Sequence, residues 1–307
     1  MKLFKNRGDI YIPKSEYKKS KEEMILKILL IFIIIFTVIF IVLLNHKYKN
    51  IAQFFGEGEV TTTQIAMEEE ELPNISGKTN FLFFETDDRK ETIHYIILLQ
   101  ADKDTMAYKV CSLSPDMKID KQSLFDIYKI GGGASLQTKL TEYFGFEIDN
   151  WAEFDNSSFV DFISKFGSMV YYSDEDISFS GGGENDKYTI HVSDGEQNIN
   201  GKELSNLLRY YSVEKKQYGL ENELVLSALT QLLNEENYEN CDSLFRLFIK
   251  SSSSNITVRD FENSKNAIMI FCLKNEDITV YSTVSEYNKK NILTQQSVKQ
   301  IKGYFSK

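Results

Sequence analysis

The longest uninterrupted apolar run in the chain is Ile28–Leu44, ILLIFIIIFTVIFIVLL, whose only polar side chain is the hydroxyl of Thr37. Extended backwards through Met24, Ile25 and Leu26 around Lys27, it approaches the ~20 residues that span ~30 Å of hydrocarbon as a helix. Every face of that helix is aliphatic or Phe, the pattern of a membrane span rather than of a core helix with one wet side. Asn45-His46-Lys47-Tyr48-Lys49 follows and offers no small-residue cleavage site, so the run predicts an anchor and not a removed signal peptide.

Further along, the period changes. NFLFFE (Asn80–Glu85) and IHYIILLQ (Ile93–Gln100) are short, nearly continuous apolar runs, and MAYKVCSL (Met106–Leu113) alternates; they predict adjacent strands, the first two covered on both faces. Leu136, Leu140 and Phe144 form one helical stripe over Ala134–Phe144, stopped by Gly145. A second helix is predicted over Ser157–Phe166, with Phe159, Val160, Phe162 and Ile163 inward and Gly167 as its end. Strands recur at Met169–Tyr172 and Tyr188–Val192, with an extended piece around Ile199. Gly201–Tyr211 and Leu220–Leu233 are predicted helices, the latter with a Leu224, Ala228, Leu232 stripe. A polar stretch, Ser251–Asn255, precedes a helix over Val258–Met269, a strand over Asp277–Thr283 and a helix over Gln296–Phe305. Strands and helices in alternation, without internal repeats, predict a single α/β domain with a mixed sheet flanked by helices, preceded by one N-terminal transmembrane helix.

Charge orients that anchor. Residues 1–27 carry eight basic side chains against four acidic ones, and the excess predicts a cytoplasmic N-terminus. The expected organisation is a basic cytoplasmic tail (1–27), a transmembrane helix (28–44), an acidic juxtamembrane linker (45–78) containing Glu68–Glu71, and an extracytoplasmic domain (79–307). Removing the +4 tail from the total of −10 over 307 residues leaves −14 on the remainder. Such a surface repels a phosphate backbone, so no nucleic-acid partner is expected. Cys111, Cys241 and Cys272, like His46, His94 and His191, are too scattered to write a zinc cluster or a redox pair.

The glycine runs Gly131–Gly133 and Gly181–Gly183 lack the Lys-Ser/Thr of a phosphate loop and the spacing of a dinucleotide fingerprint, and read as turns. His94, inside an apolar strand, reads as a hydrogen-bonded core imidazole. Glu85-Thr86-Asp87-Asp88-Arg89 packs charge behind the first predicted strand, and Asp116 stands just after the third. Both carboxylates are therefore expected at one end of the sheet, where α/β folds present ligands to solvent.

The order NFLFFETDDR, VCSLSPDM, LTEYFGFEIDNWAEFDNSSFVDFISKFGSM and INGKELSNLLRYY behind a membrane helix resembles the LytR-CpsA-Psr (LCP) domain of bacterial cell-envelope proteins, over about Asn80 to Phe305. The resemblance implies a protein of the cytoplasmic membrane, single-pass, that moves glycopolymers from a polyprenyl pyrophosphate carrier to peptidoglycan with Mg²⁺ and a lipid-accommodating groove. It implies Asp87 and Asp116 as catalytic and Mg²⁺-binding carboxylates, and Arg89 and Arg209 as phosphate binders. Several family positions differ. Glu85 stands at a glycine; Thr92-Ile93-His94-Tyr95 replaces Arg-x-Asp-Thr; Pro115 and Tyr211 replace arginines; and Gly219-Leu220-Glu221-Asn222-Glu223-Leu224 replaces Gly-Arg-x-x-Arg-Gln, placing Glu221 and Glu223 against the ligand's own charge.

The four arginines absent at Pro115, Tyr211, Leu220 and Glu223, at ~1.5–3 kcal/mol per charged hydrogen bond, make a deficit of ~6–12 kcal/mol if additive. Lys215 and Lys216 offer charge without a bidentate fork. The expectation is an LCP-like protein with an impaired site that binds or scaffolds a polyprenyl-linked glycan or cell-wall polymer, together with the membrane and other envelope-assembly proteins. The competing expectation is an active Mg²⁺-dependent phosphotransferase. A transcription factor, a third class, sits poorly with an outward-facing anchored domain.

Overall fold

The computed structural model describes residues 72–183 and 186–306. The tail, the apolar segment 28–44 and the linker through residue 71 lie outside the described residues. Among the described residues no helix is long and apolar enough to cross a membrane.

In chain order the elements are β1 (Lys78–Thr86), β2 (Ile93–Asp102), β3 (Ala107–Leu113), a two-residue hairpin β4 (Lys118–Ile119) and β5 (Gln122–Ser123), α1 (Leu124–Phe144), β6 (Asn150–Asp155) and α2 (Asn156–Ile163). Then come β7 (Met169–Ser173), β8 (Ile177–Gly181), β9 (Tyr188–Val192), β10 (Gly195–Ile199), α3 (Gly201–Arg209), a π-helical turn (Tyr210–Lys215) and α4 (Tyr218–Leu232). The chain continues through α5 (Glu235–Glu239), α6 (Cys241–Ser251), β11 (Ser253–Ser254), α7 (Val258–Leu273), β12 (Thr279–Ser282) and α8 (Gln295–Phe305). A six-stranded mixed sheet runs β11-β6-β1-β2-β3-β12, parallel at β1/β6 and β3/β12 and antiparallel elsewhere.

Strand β2 explains why its sequence is apolar without alternation. Tyr95, Ile97 and Leu99 enter one core, beneath β7–β10, α3 and α4, while Ile96 and Leu98 enter the other, beneath α1 and α8. A strand covered on both faces has no wet side to mark a period. The three cysteines are unbridged.

Helix α1 begins ten residues earlier than its stripe predicts, at a capping box in which Ser123 and Asp126 satisfy each other's backbone amides. The predicted Gly131–Gly133 turn is a kink inside this helix. Gly132 sits at φ 64°, ψ −152°, a region open essentially to glycine alone, and a Cβ on Gly133 would collide with the Trp151 indole. Helix α2 ends before Phe166, and its four apolar side chains are only half-buried where it packs over β1 and β6. Strands β6 and β8 and helix α6 add elements that the periodicity left unassigned. In β6, Glu153 and Asp155 interrupt the apolar pattern, and α6 buries Phe248 alone.

Candidate functional site

Antiparallel pairing of β1 with β2 and of β2 with β3 brings the end of β1, the start of β2 and the end of β3 to one edge. A cleft of about 500 Å³ opens there, lined by Asp87, His94, Asp116, Asp186, Arg209 and Ser212 among others. Of the four residues singled out in the sequence, Asp87, Asp116 and Arg209 meet in this cleft. Arg89 is exposed and is not among its lining residues.

Asp87 is a turn-former as much as a ligand. Its Oδ1 accepts from the backbone amides of Glu91 and Thr92, both at 2.6 Å, and from Thr92 Oγ1 at 3.3 Å; its Oδ2 accepts from the Arg89 amide at 3.2 Å. Burial acts to raise this carboxyl's pKa, but the converging amides outweigh it and hold it below the ordinary aspartate value. The turn is tied across the sheet by Lys90, 2.6 Å from Glu153, and by Asp88, which accepts from the Ser157 amide at the start of α2. Asp116 is exposed, and its Oδ2 lies 2.9 Å from Lys216 Nζ.

Arg209 is delivered by α3. Asn200 caps that helix in a box with Glu203, Leu204, Leu207 and Leu208 anchor it in the core, and the π-helical turn begins at the next residue. Arg209 is 7% exposed, and its guanidinium carbon lies over the Tyr188 ring, 4.2 Å from the centroid. Asp186 takes both of its terminal nitrogens, Nη1 to Oδ1 at 2.9 Å and Nη2 to Oδ2 at 2.6 Å. That is the bidentate fork a phosphate would use.

His94 is buried and hydrogen-bonded, as expected of it, but its partners place it in the site. The β1/β2 register skips it, Glu85 facing Tyr95 and Thr86 facing Ile93, and such bulges re-aim side chains. Nδ1 meets Glu85 Oε1 at 2.8 Å and Nε2 meets Asp186 Oδ2 at 2.9 Å. One ring between two acceptors needs two protons in the row, both on the imidazole or one on a carboxyl. Glu85 is fully engaged, accepting also from Tyr95 Oη, Asn156 Nδ2 and Ser205 Oγ at 3.0–3.1 Å. Burial, and then the Glu85 charge, raise the Tyr95 phenol well above its usual value.

Glu221 does not face the cleft, contrary to the sequence expectation. It is completely buried on α4, and burial pushes its carboxyl well above the usual value against the opposing pull of the Ser112 and Ser212 hydroxyls. Glu223 lines a neighbouring, larger cleft of about 810 Å³ with Leu220, Tyr218, Tyr287 and Val284. Lys216 is spent on Asp116, and Lys215 lies over the Tyr210 ring. Four carboxylates, Asp87, Glu91, Asp116 and Asp186, therefore line the first cleft, against Arg209 as its one lining Lys or Arg among the described residues.

The magnesium implied by the resemblance fits this set poorly. Octahedral Mg²⁺ needs free carboxylate lone pairs; those of Asp87 are directed at amides, and Asp116 is paired with Lys216. Among the described residues no group of three or more His, Cys, Asp or Glu side chains is placed to hold a metal ion.

The chain belongs to the LytR_cpsA_psr family, whose model matches residues 40–296. Solved structures of similar fold include a Eubacterium siraeum protein described as a candidate transcription regulator, at 16% identity and a TM-score of 0.66 over 74% of this chain and 90% of that one. TagV of Bacillus subtilis matches at 14% identity and 0.58, over 76% and 97%. A structure described as TagT bound to LI-WTA matches at 12% and 0.56, over 75% and 89%. At such identities the likeness establishes the fold. No curated protein sequence matches the chain.

Sequence reasoning placed the cleft at the correct sheet end but missed His94 and Asp186 as its members. The bulge that turns His94 has no sequence signal. The Gly181–Gly183 run directly ahead of Asp186 is the one visible mark of a tight approach there.

Proposed function

We propose that this is a membrane-anchored LCP protein of bacterial cell-envelope assembly, with its domain outside the cytoplasmic membrane, that binds or scaffolds a polyprenyl-linked glycan or cell-wall polymer and transfers it poorly or not at all. Family membership, and relatives described as TagT bound to LI-WTA and LIIa-WTA, support the polymer class. The apolar run 28–44 with its basic leading flank supports the anchor and its orientation. One observation carries the loss of transfer: Arg209, the one guanidinium lining the cleft among the described residues, already has both terminal nitrogens held by Asp186, among four carboxylates. Gathering a pyrophosphate needs several cations acting together.

The second reading, a phosphotransferase using Asp87, Asp116 and Arg209, draws support from their shared cleft. Full-length protein in detergent, given a pyrophosphate-linked lipid glycan, Mg²⁺ and a peptidoglycan acceptor, separates the two. Binding of the lipid without release of its carrier is expected. Turnover that disappears in Asp116→Asn would refute the scaffold reading. Asp116 suits this test because its exposed pair with Lys216 contributes only ~0–1 kcal/mol to folding.

A further inference from the structure

The loop between β8 and β9 is built around one approach to Arg209. Gly182 adopts φ 88°, and a Cβ there would strike the carbonyl oxygen of Asp186 and come within 3.1 Å of Arg209 Nη2. The Asp186 amide returns to Gly183 O at 3.2 Å. That turn delivers a side chain one-quarter exposed onto a guanidinium that is almost wholly buried over the Tyr188 ring. His94, itself held by Glu85, grips the same carboxylate from the other side. A carboxylate and a phosphate offer a guanidinium the same pair of oxygens, so the two cannot share this fork.

We infer that Asp186 determines the ligand specificity of the cleft: its carboxylate stands in for a phosphate on Arg209 and His94, and a phosphate-class anion binds there only by displacing it. The ligands the cleft accepts without rearrangement are then neutral or cationic. The inference rests on the binding reading above for the class of the competing ligand. It adds that the weakness toward phosphate is imposed by one acidic side chain as well as by the arginines the family positions lack.

The test titrates inorganic pyrophosphate into full-length protein in detergent, by calorimetry, for the wild type, Asp186→Asn, Gly182→Ala and the double variant Asp186→Asn/Arg209→Gln. Asp186→Asn is expected to bind at least tenfold more tightly than the wild type, and the double variant to fall back to the wild-type level. Gly182→Ala, which keeps the carboxylate but spoils its delivery, is expected to tighten binding in the same direction. An Asp186→Asn protein that melts like the wild type and binds pyrophosphate no better overturns the inference; if that variant fails to fold, unchanged binding by Gly182→Ala does so. Glycan turnover by the wild type would defeat the proposed function while leaving this comparison to decide the role of Asp186.

Discussion

Replacing Glu221 with Gln should stabilise the protein at neutral pH and leave it unchanged in acid. Glu221 has no exposed surface, and neither carboxyl oxygen has a well-formed hydrogen bond, although the Ser112 and Ser212 hydroxyls lie beside it and also lack partners. No cation compensates a charge there, so the folded carboxyl keeps its proton well above the ordinary value of 4.5. Between the unfolded and folded pKa values the folded state therefore holds one proton more than the unfolded state. Stability is fully present below the unfolded value and declines as the pH rises toward the folded one, by about 1.4 kcal/mol per pH unit. For a domain of this size that is roughly 3–6 °C of melting temperature per pH unit. Glutamine has the same shape, cannot ionise, and can exchange hydrogen bonds with both serines. Thermal unfolding of the two proteins from pH 4 to 8 isolates the effect, since every other titrating group is common to both. The curves should coincide near pH 4 and separate upward, with Glu221→Gln the more stable. Parallel curves would mean that Glu221 is charged in the folded state or hydrated, and the account of a neutral buried acid would fail.

Asp87→Asn should cost about 1.5–3 kcal/mol at pH 7 by urea unfolding, because the charge that gathers the Arg89, Glu91 and Thr92 amides is lost. Since the Asp87 pKa is lowered in the fold, its contribution is present above the ordinary value of 3.8 and disappears as the pH falls through the folded one, so the gap from wild type should close below about pH 4. Gly132→Ala should lower stability by about 1–3 kcal/mol by forcing a side chain into the left-handed kink of α1, without changing ligand binding at the cleft. Tyr211→Arg should destabilise by about 3–5 kcal/mol, since that ring is buried and its hydroxyl lies 2.7 Å from Tyr171 Oη, whereas Leu220→Arg, at an exposed position, should stay within about 0.5 kcal/mol of the wild type in the same melts.

The fold was legible where burial leaves a period or a stop signal. The apolar runs of β1 and β2 and the stripes of α1 and α4 announced themselves, and Gly145 marked a true helix end at positive φ, whereas α2 stops at Ile163, four residues short of Gly167. Strand β6 was hidden because its job is partly chemical: Glu153 receives Lys90 and the Tyr128 hydroxyl, so a central strand carries a charge where its pattern needs an apolar residue. The early half of α1 was hidden by its own glycines, which read locally as turns, although Gly133 is required by the Trp151 ring that packs against it and Gly132 by its positive φ.

The site shows the same division more sharply. Asp87, Asp116 and Arg209 could be placed from strand ends and family positions, because the backbone fixes where those residues fall. What their neighbours do to them could not. The departures from the family pattern do not share one physical meaning. Glu85 became a buried acceptor for four donors, and Glu221 went beneath the cleft as an acid sheltered from charge. Tyr211 turned into the core against Tyr171, while Leu220 and Glu223 went to the rim of the larger cleft. Counting arginines treats these positions as equivalent lost contacts, yet only an arginine restored at the exposed positions could return without a packing penalty. The two-sided core is supported by β2, α1, α3 and α4, of whose apolar side chains only Ile93 and Phe125 reach the cleft wall. The architecture therefore does not depend on the sign of the charge at the sheet end. For that reason family membership fixes the fold here, and the side chains around Arg209 decide what can enter the cleft.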